Sequence, residues 1–418
     1  MPCLFRHAVR AIVCVIFAAG LTVARGAESV PSLAIRGAVV HTMAGPAITD
    51  GVVLIEDGKI KAVGPAADVA IPAGTRTLQA AVVTPGLIDA HTAVGLNGWI
   101  NQPQDQDQLD PTEPVQPELR AIDSYNPRER LIEWVRGFGV TTLHTGHAPG
   151  ALVSGQTMIV KTTGDSVEAA VLRPTAMVAV TLGDDARPGG ADAEKKSPGT
   201  RSKAVAMLRS ELVKAGEYAR RREAGGGEPP DRDLRRDVLA DVLARKLPLL
   251  VTVNRATDID AALRIAAEFD IRIVIDSGAE AYLCLDRLKA AGVPVILHPS
   301  MRRAGMGETE NISFETAAKL RAAGIPFALQ SGFEGYVPKT RVALFEAAIA
   351  AANGLTTEEA LAAITSDAAA ILGIADRVGT IRPGLDGDVA LFDGDPFEYT
   401  THCTGVVIDG RVVSSDKR

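Results

Sequence analysis

Four histidines, His91, His144, His147 and His298, fall at the ends of apolar runs in this chain. Neutral imidazole is the commonest metal ligand among side chains, and three imidazoles with one water make a catalytic zinc site. Asp105, Asp107 and Asp110 follow His91 in a polar stretch and could add carboxylates to such a centre. The spacing at His91 argues against a complete one. A His-x-His at the end of a buried strand turns both rings to one face, because side chains alternate with period two. Here the triplet is His91-Thr92-Ala93, and alanine has no lone pair to offer. The bland alternative is that these histidines are structural; His144 and His147 lie beside Gly146, Pro149 and Gly150, where an imidazole can simply cap a turn.

Other polar groups carry weaker signals. Lys161, at the end of an apolar run, could reach an anionic ligand or pair with Asp165 at the surface. Arg255, Arg302 and Arg303 could hold a carboxylate through two parallel hydrogen bonds, although solvated loop charge explains them as well. Tyr336 and Lys339 follow the last apolar run and could line a pocket. Asp276 stands next to Ser277, but no base lies near them in sequence and no nucleophile-elbow pattern is present.

These residues need elements to hold them. From Leu33 to Leu78, short apolar runs are broken by turns, with Asp57-Gly58 giving a hairpin signal. The same style returns at Asp388–Phe392 and Thr404–Val413. The middle alternates strand and helix patterns, with strands expected at 82–90, 140–145, 157–162, 175–182, 247–253, 271–276, 293–298 and 326–331. Helical stretches fall between them at 127–137, 202–222, 234–246, 258–269, 279–291, 315–323 and 342–352. Eight such alternations point to a (β/α)8 TIM barrel, in which functional groups gather at the C-terminal strand ends; an open doubly wound sheet is the alternative. The expected division is a signal peptide over 1–26, a small composite β-sandwich built from 27–81 and 373–418, and the barrel over 82–372. Segments 97–127 and 183–200 look inserted.

Of 418 residues, 46% are hydrophobic and 23% charged, an ordinary globular composition that excludes disordered and collagen-like classes. The net charge of -7 argues against a nucleic-acid partner. A basic start, an apolar run from Ala11 to Val23 and small residues around Gly26 form a secretory signal, so the protein is expected to be exported, periplasmic or secreted. A bilayer needs roughly twenty apolar residues, so this shorter run predicts no membrane span once the signal is cleaved. Cys3 and Cys14 leave with it, and Cys284 and Cys403 are expected as separate buried thiols.

The chain resembles the amidohydrolase superfamily, in its imidazolonepropionase-like and prolidase-like branch. The resemblance rests on Pro85-Gly86-Leu87-Ile88-Asp89-Ala90-His91, on Gly139-Val140-Thr141-Thr142 with Gly155-Gln156, on Ala279-Glu280-Ala281-Tyr282, and on Gly379-Thr380-Ile381-Arg382-Pro383-Gly384 with Asp386-Gly387-Asp388. It implies a metal centre with two histidines on strand one, a lysine or glutamate on strand four, histidines on strands five and six, and an aspartate on strand eight. Carried over, only His91 survives. Ala93 takes the second place, Thr252 or Asn254 the strand-five place, Ser277 the strand-six place and Ser331 or Gly332 the strand-eight place, while 176–182 holds neither lysine nor carboxylate. The resemblance therefore implies a hydrolase acting on C–N bonds, other than peptide bonds, of cyclic amides or small amides, with a degenerate metal centre. The alternative is a catalytically inactive paralogue, a pseudoenzyme that binds a small-molecule ligand, forms a homo-oligomer or pairs with an active paralogue. No cofactor is expected, although a divalent metal such as zinc remains open through the four histidines.

Overall fold

Alternating apolar runs near both ends of the chain pair into one sheet. In the computed structural model, which describes residues 30–100, 102–187, 197–224, 229–298, 305, 307–333 and 342–418, the first four strands are β1 (Leu33–Val40), β2 (Ile48–Glu56), β3 (Lys59–Pro65) and β4 (Arg76–Pro85). The middle supplies β5 (Leu87–Thr92), β6 (Val140–Gly146), β7 (Val153–Lys161), β8 (Val171–Arg173), β9 (Val178–Thr181), β10 (Leu249–Val253), β11 (Ile273–Ser277), β12 (Val295–Leu297) and β13 (Phe327–Leu329). The chain then returns with β14 (Val389–Phe392), β15 (Cys403–Ile408) and β16 (Arg411–Ser414). The terminal strands form a seven-stranded sheet in the order β16-β15-β14-β4-β1-β2-β3, so both ends of the chain are needed to build it. The expected signal segment, 1–26, lies outside the described residues.

Pro85-Gly86 carries the chain from this sheet into the barrel. A Cβ on Gly86 would stand 2.1 Å from the Thr141 hydroxyl, so only glycine lets β5 approach β6 this closely. The barrel strands run β13-β12-β11-β10-β9-β7-β6-β5, with β8 attached to β7. A parallel bridge between Thr92 and Gly332 joins the first strand to the segment after the last, so the wall is nearly closed.

Alternation sorts the barrel's side chains. Ile88, Ala90, Ile159, Leu250, Val274, Ile296 and Ala328 pack together inside, against Ala368, Ala369 and Leu372 of the helix Ser366–Leu372. Val178, Val180, Val251, Val253, Ile275, Val295, Leu297 and Leu329 face outward, toward the surrounding helices. Each such Val, Leu or Ile stabilises the fold by about 1.5–3 kcal/mol on burial. The expected helices are present at Arg130–Arg136, Arg201–Glu223, Leu234–Leu243, Ala256–Phe269, Leu285–Ala291, Thr316–Ala323 and Ala343–Ala352, and two further short ones, Thr357–Ala363 and Ser366–Leu372, close the circuit.

One strand departs from the expected pattern. β7 is antiparallel to both β6 and β9. Only Ala148 to Leu152 and His147 separate it from β6, and a parallel crossover needs a dozen or more residues, so the chain can only turn back as a hairpin. The C-terminal end of β7 therefore lies at the base of the barrel, and its first residues lie at the mouth.

Candidate active site

The direction of β7 corrects the placement of Lys161. It does not face the mouth. Its ammonium is buried at the base, 2.8 Å from Asp386, 3.0 Å from Asp388 and 2.6 Å from Asp409, all contributed by the returning C-terminal segment. Burial pulls the Lys161 ammonium down, but the three carboxylates hold it above the usual lysine range. Asp386 is shared with Arg377 at 2.7 Å and with Lys59, and lies well below the usual carboxylate range despite its burial. Burial pushes Asp388 up to about 6 even with Lys161 beside it. This network fastens the barrel to the small sheet.

At the opposite face the strand ends bring His91 to Asp276. His91 Nδ1 lies 2.8 Å from Asp276 Oδ1, and both side chains are fully buried. Gln330 Nε2 donates to the same carboxylate oxygen at 2.8 Å, and Thr252 Oγ1 donates to the other at 2.7 Å. Burial pushes the Asp276 carboxyl up, but the His91 charge and these hydrogen bonds outweigh it and hold it below the ordinary value. Burial likewise pulls His91 down, and Asp276 with Asp89 more than compensates. An ionised Asp276 accepts the Nδ1 proton, which leaves Nε2 as the second, unengaged nitrogen; it is buried with no hydrogen-bond partner.

The neighbouring residues are committed to structure. His144 Nδ1 is 2.7 Å from the Ala90 carbonyl, which can only accept, so Nδ1 carries the proton and Nε2 accepts from Thr157 Oγ1 at 2.7 Å. Burial drives the His144 pKa down to about 3. The His91 and His144 rings stand 5.7 Å apart. Asp89 accepts from the Ser331 hydroxyl and from its backbone N–H at 3.0 Å, tying strand one to strand eight, while burial raises its pKa to about 6.

Most of the remaining candidates are engaged elsewhere. His147 sits in the β6–β7 turn with its ring against Gly155, where a Cβ would come within 2.4 Å of it. His298 is buried at the end of β12, and its backbone N–H donates to Ser277 at 2.6 Å. Asp110 holds Thr112 through two hydrogen bonds, and Asp105 and Asp107 stay in the segment after strand one. Arg255 pairs with Asp184 at 3.5 Å, at the rim of a network in which Arg201 reaches Asp184, Asp258 and Glu308. Tyr336, Lys339, Arg302 and Arg303 lie outside the described residues. Gly332 and Ala93 supply only backbone.

Ser277 ends β11 with φ 73°, a left-handed conformation that costs a serine energy, and its hydroxyl is buried without a partner. Asp276 was the functional residue least visible in sequence. The signal that could have found it is parity: Val274 faces the barrel interior, so Asp276 must too.

A divalent metal can be tested against these donors. Among the described residues no cluster of three or more His, Cys, Asp or Glu side chains could hold one. His144 has both nitrogens engaged, Asp276 and Asp89 have their oxygens engaged, and the strand-five place offers a hydroxyl that already binds Asp276. His91 Nε2 is the single open imidazole donor among the strand-one, -five, -six and -eight positions. The described residues do not fit a family-type metal centre.

Comparison with known proteins agrees with the architecture. A family model described as Amidohydrolase family matches residues 251–414. An imidazolonepropionase of Rhizorhabdus wittichii is 26% identical over 406 residues, covering 86% of this chain and 92% of its own. Another, from Haloarcula marismortui, is 24% identical over 409 residues, covering 88% and 90%. The crystal structure of an amidohydrolase from Thermotoga maritima superposes with a TM-score of 0.85 at 28% identity, over 92% of this chain and 100% of that one. A putative prolidase from Bifidobacterium longum, at 18% identity and a TM-score of 0.57 over 92% and 95%, shares the fold. Amidohydrolase family members generally use a divalent metal such as zinc. In its barrel, its composite sheet and its sequence, the chain is similar to proteins of the amidohydrolase superfamily, imidazolonepropionases among them.

Proposed function

We propose that the protein hydrolyses a C–N bond, other than a peptide bond, in a cyclic amide or related small amide at the mouth of the barrel. The observation that carries this reading is the buried His91–Asp276 pair with Nε2 open. Asp276 fixes the tautomer, so Nε2 can take a proton from a water as its oxygen adds to the amide carbonyl. The C–N bond then breaks and the same proton passes to the departing nitrogen. Positioned general acid–base catalysis of this kind contributes about 10²–10⁴-fold. Relatives that are imidazolonepropionases support the cyclic-amide class.

The test is turnover of a panel of lactams, imidazolones and cyclic ureides by the purified protein. Asp276→Asn should retain the fold and lower kcat by about 10²–10⁴-fold, because asparagine stabilises the wrong tautomer. Unchanged turnover in His91→Ala, or turnover that vanishes with a chelator, would refute the mechanism. One zinc per chain by elemental analysis, lost in His91→Ala, would do the same.

A second reading is favoured by the saturation of His144 and by Ala93. On it the chain is an inactive paralogue that binds a ligand, assembles with itself or partners an active relative. Binding without turnover across the panel selects it, and light scattering gives the assembly. The N-terminal segment supports export to the periplasm or medium; the mass of the mature chain tests cleavage near Gly26.

A further inference from the structure

Alternation along the strands puts Thr181, Asn254 and Gln330 on the inner face of the barrel, at the mouth ends of β9, β10 and β13. The neighbours Val180, Val253 and Leu329 face outward, into the helical layer. Thr181 is 1%, Asn254 2% and Gln330 0% exposed. Buried inner-face positions are expected to be apolar, since a buried polar group without a partner is destabilising. These three are polar, and Thr181 Oγ1, Asn254 Oδ1 and Gln330 Oε1 are all buried without a hydrogen-bond partner.

Gln330 fixes the sense of the pattern. Its amide nitrogen donates to Asp276 Oδ1 at 2.8 Å and to the Ile296 carbonyl at 3.2 Å, and both are acceptors, so the free atom is the carbonyl oxygen. Gln330 Oε1 and Asn254 Oδ1 are thus acceptors, and the Thr181 hydroxyl can accept as well as donate. We propose that this ring is a subsite that selects its ligand through N–H groups, so that the occupant is a neutral ring amide or ureide with unsubstituted nitrogens. This deepens, and rests on, the cyclic-amide reading above. A site built to hydrogen-bond an N–H discriminates strongly against the analogue that lacks it, because its own buried acceptors are then stranded.

The probes are hydantoin, which has two ring N–H groups, and N,N′-dimethylhydantoin, the same ring with none. In ligand-observed NMR titrations hydantoin should bind the full chain at least about tenfold more tightly than the dimethyl compound. Thr181→Val and Asn254→Leu should each weaken hydantoin by about tenfold while raising the melting temperature of the free protein, because each removes a stranded polar group. Thr181→Ser keeps the hydroxyl and should keep the binding. Equal affinity for the two probes, no binding of either, or full affinity in both apolar variants would overturn the proposal, the last meaning that water alone serves these groups. Hydrolysis is read separately. Methyl-sensitive binding without turnover removes the His91 chemistry and leaves the subsite; turnover with methyl-insensitive binding does the reverse.

Discussion

Replacing Lys161 by methionine keeps most of the side-chain volume and removes the charge that three carboxylates face. The cost does not spread evenly. Asp386 keeps Arg377 and Lys59, and Asp409, whose side chain is 47% exposed, can turn to solvent. Asp388 is 4% exposed and is left with one backbone N–H, from Asp409 at 2.8 Å. Breaking a buried pair in this way costs about 3–5 kcal/mol. The pH dependence follows from the sign of the Asp388 shift. Its folded pKa, about 6, is raised above the unfolded 3.8, so the folded state holds a proton that the unfolded state has released, and stability falls as pH rises until the folded pKa is passed. Without Lys161 that pKa moves higher still, and the fall continues through pH 8 at about 1.4 kcal/mol per pH unit. The deficit of Lys161→Met relative to the parent should therefore be about 2–3 kcal/mol larger at pH 8 than at pH 5.5. Urea unfolding of both proteins at the two pH values, followed by circular dichroism, measures it. A deficit below about 1 kcal/mol at pH 8, or one that does not change with pH, would refute the reasoning.

Two further outcomes are expected. Ser277→Gly relieves a left-handed backbone and removes a stranded hydroxyl, and should stabilise the fold by about 1 kcal/mol in the same unfolding assay; a loss of stability would show that the hydroxyl or its Cβ supports the strand end. Burial raises the Cys284 thiol and pushes that of Cys403 up to about 11, and both are free. In a chain lacking residues 1–26, a thiol reagent at pH 8 should react with neither until denaturant is added. Rapid reaction of one thiol in the native protein would contradict their burial.

The strands of the barrel and the shared terminal sheet were legible because period-two alternation and Asp-Gly turns are local signals. The direction of β7 was not, since alternation carries no polarity. Starting that strand at 157 rather than Val153 left a gap that concealed the hairpin, and with direction went the placement of Lys161. The Asp386-Gly387-Asp388 motif was visible as a family mark, but its partner lies more than two hundred positions away in sequence and only the fold brings them together. Asp276 escaped for a related reason. Next to Ser277 it had no base in sequence, and the histidine that pairs with it comes from the far side of the barrel. The resemblance marked Ala93, Thr252, Asn254, Ser277 and Ser331 one by one, whereas what their side chains do was not legible: Thr252 steadies Asp276, Ser331 fastens two strands, and Asn254 offers an acceptor.

The reversed strand also changes what the terminal sheet means for the rest of the molecule. β7 begins at the rim, where its first residues border the mouth, and ends in an ammonium clasped by the C-terminal segment. A single rigid rod thus runs from the rim to the sheet that both termini build. A barrel cut free of that sheet would carry an uncompensated cation in its floor, and the wall beside the mouth would lose its anchor at the same stroke. The small sheet is in that sense a foundation for the mouth rather than an appendage to the barrel.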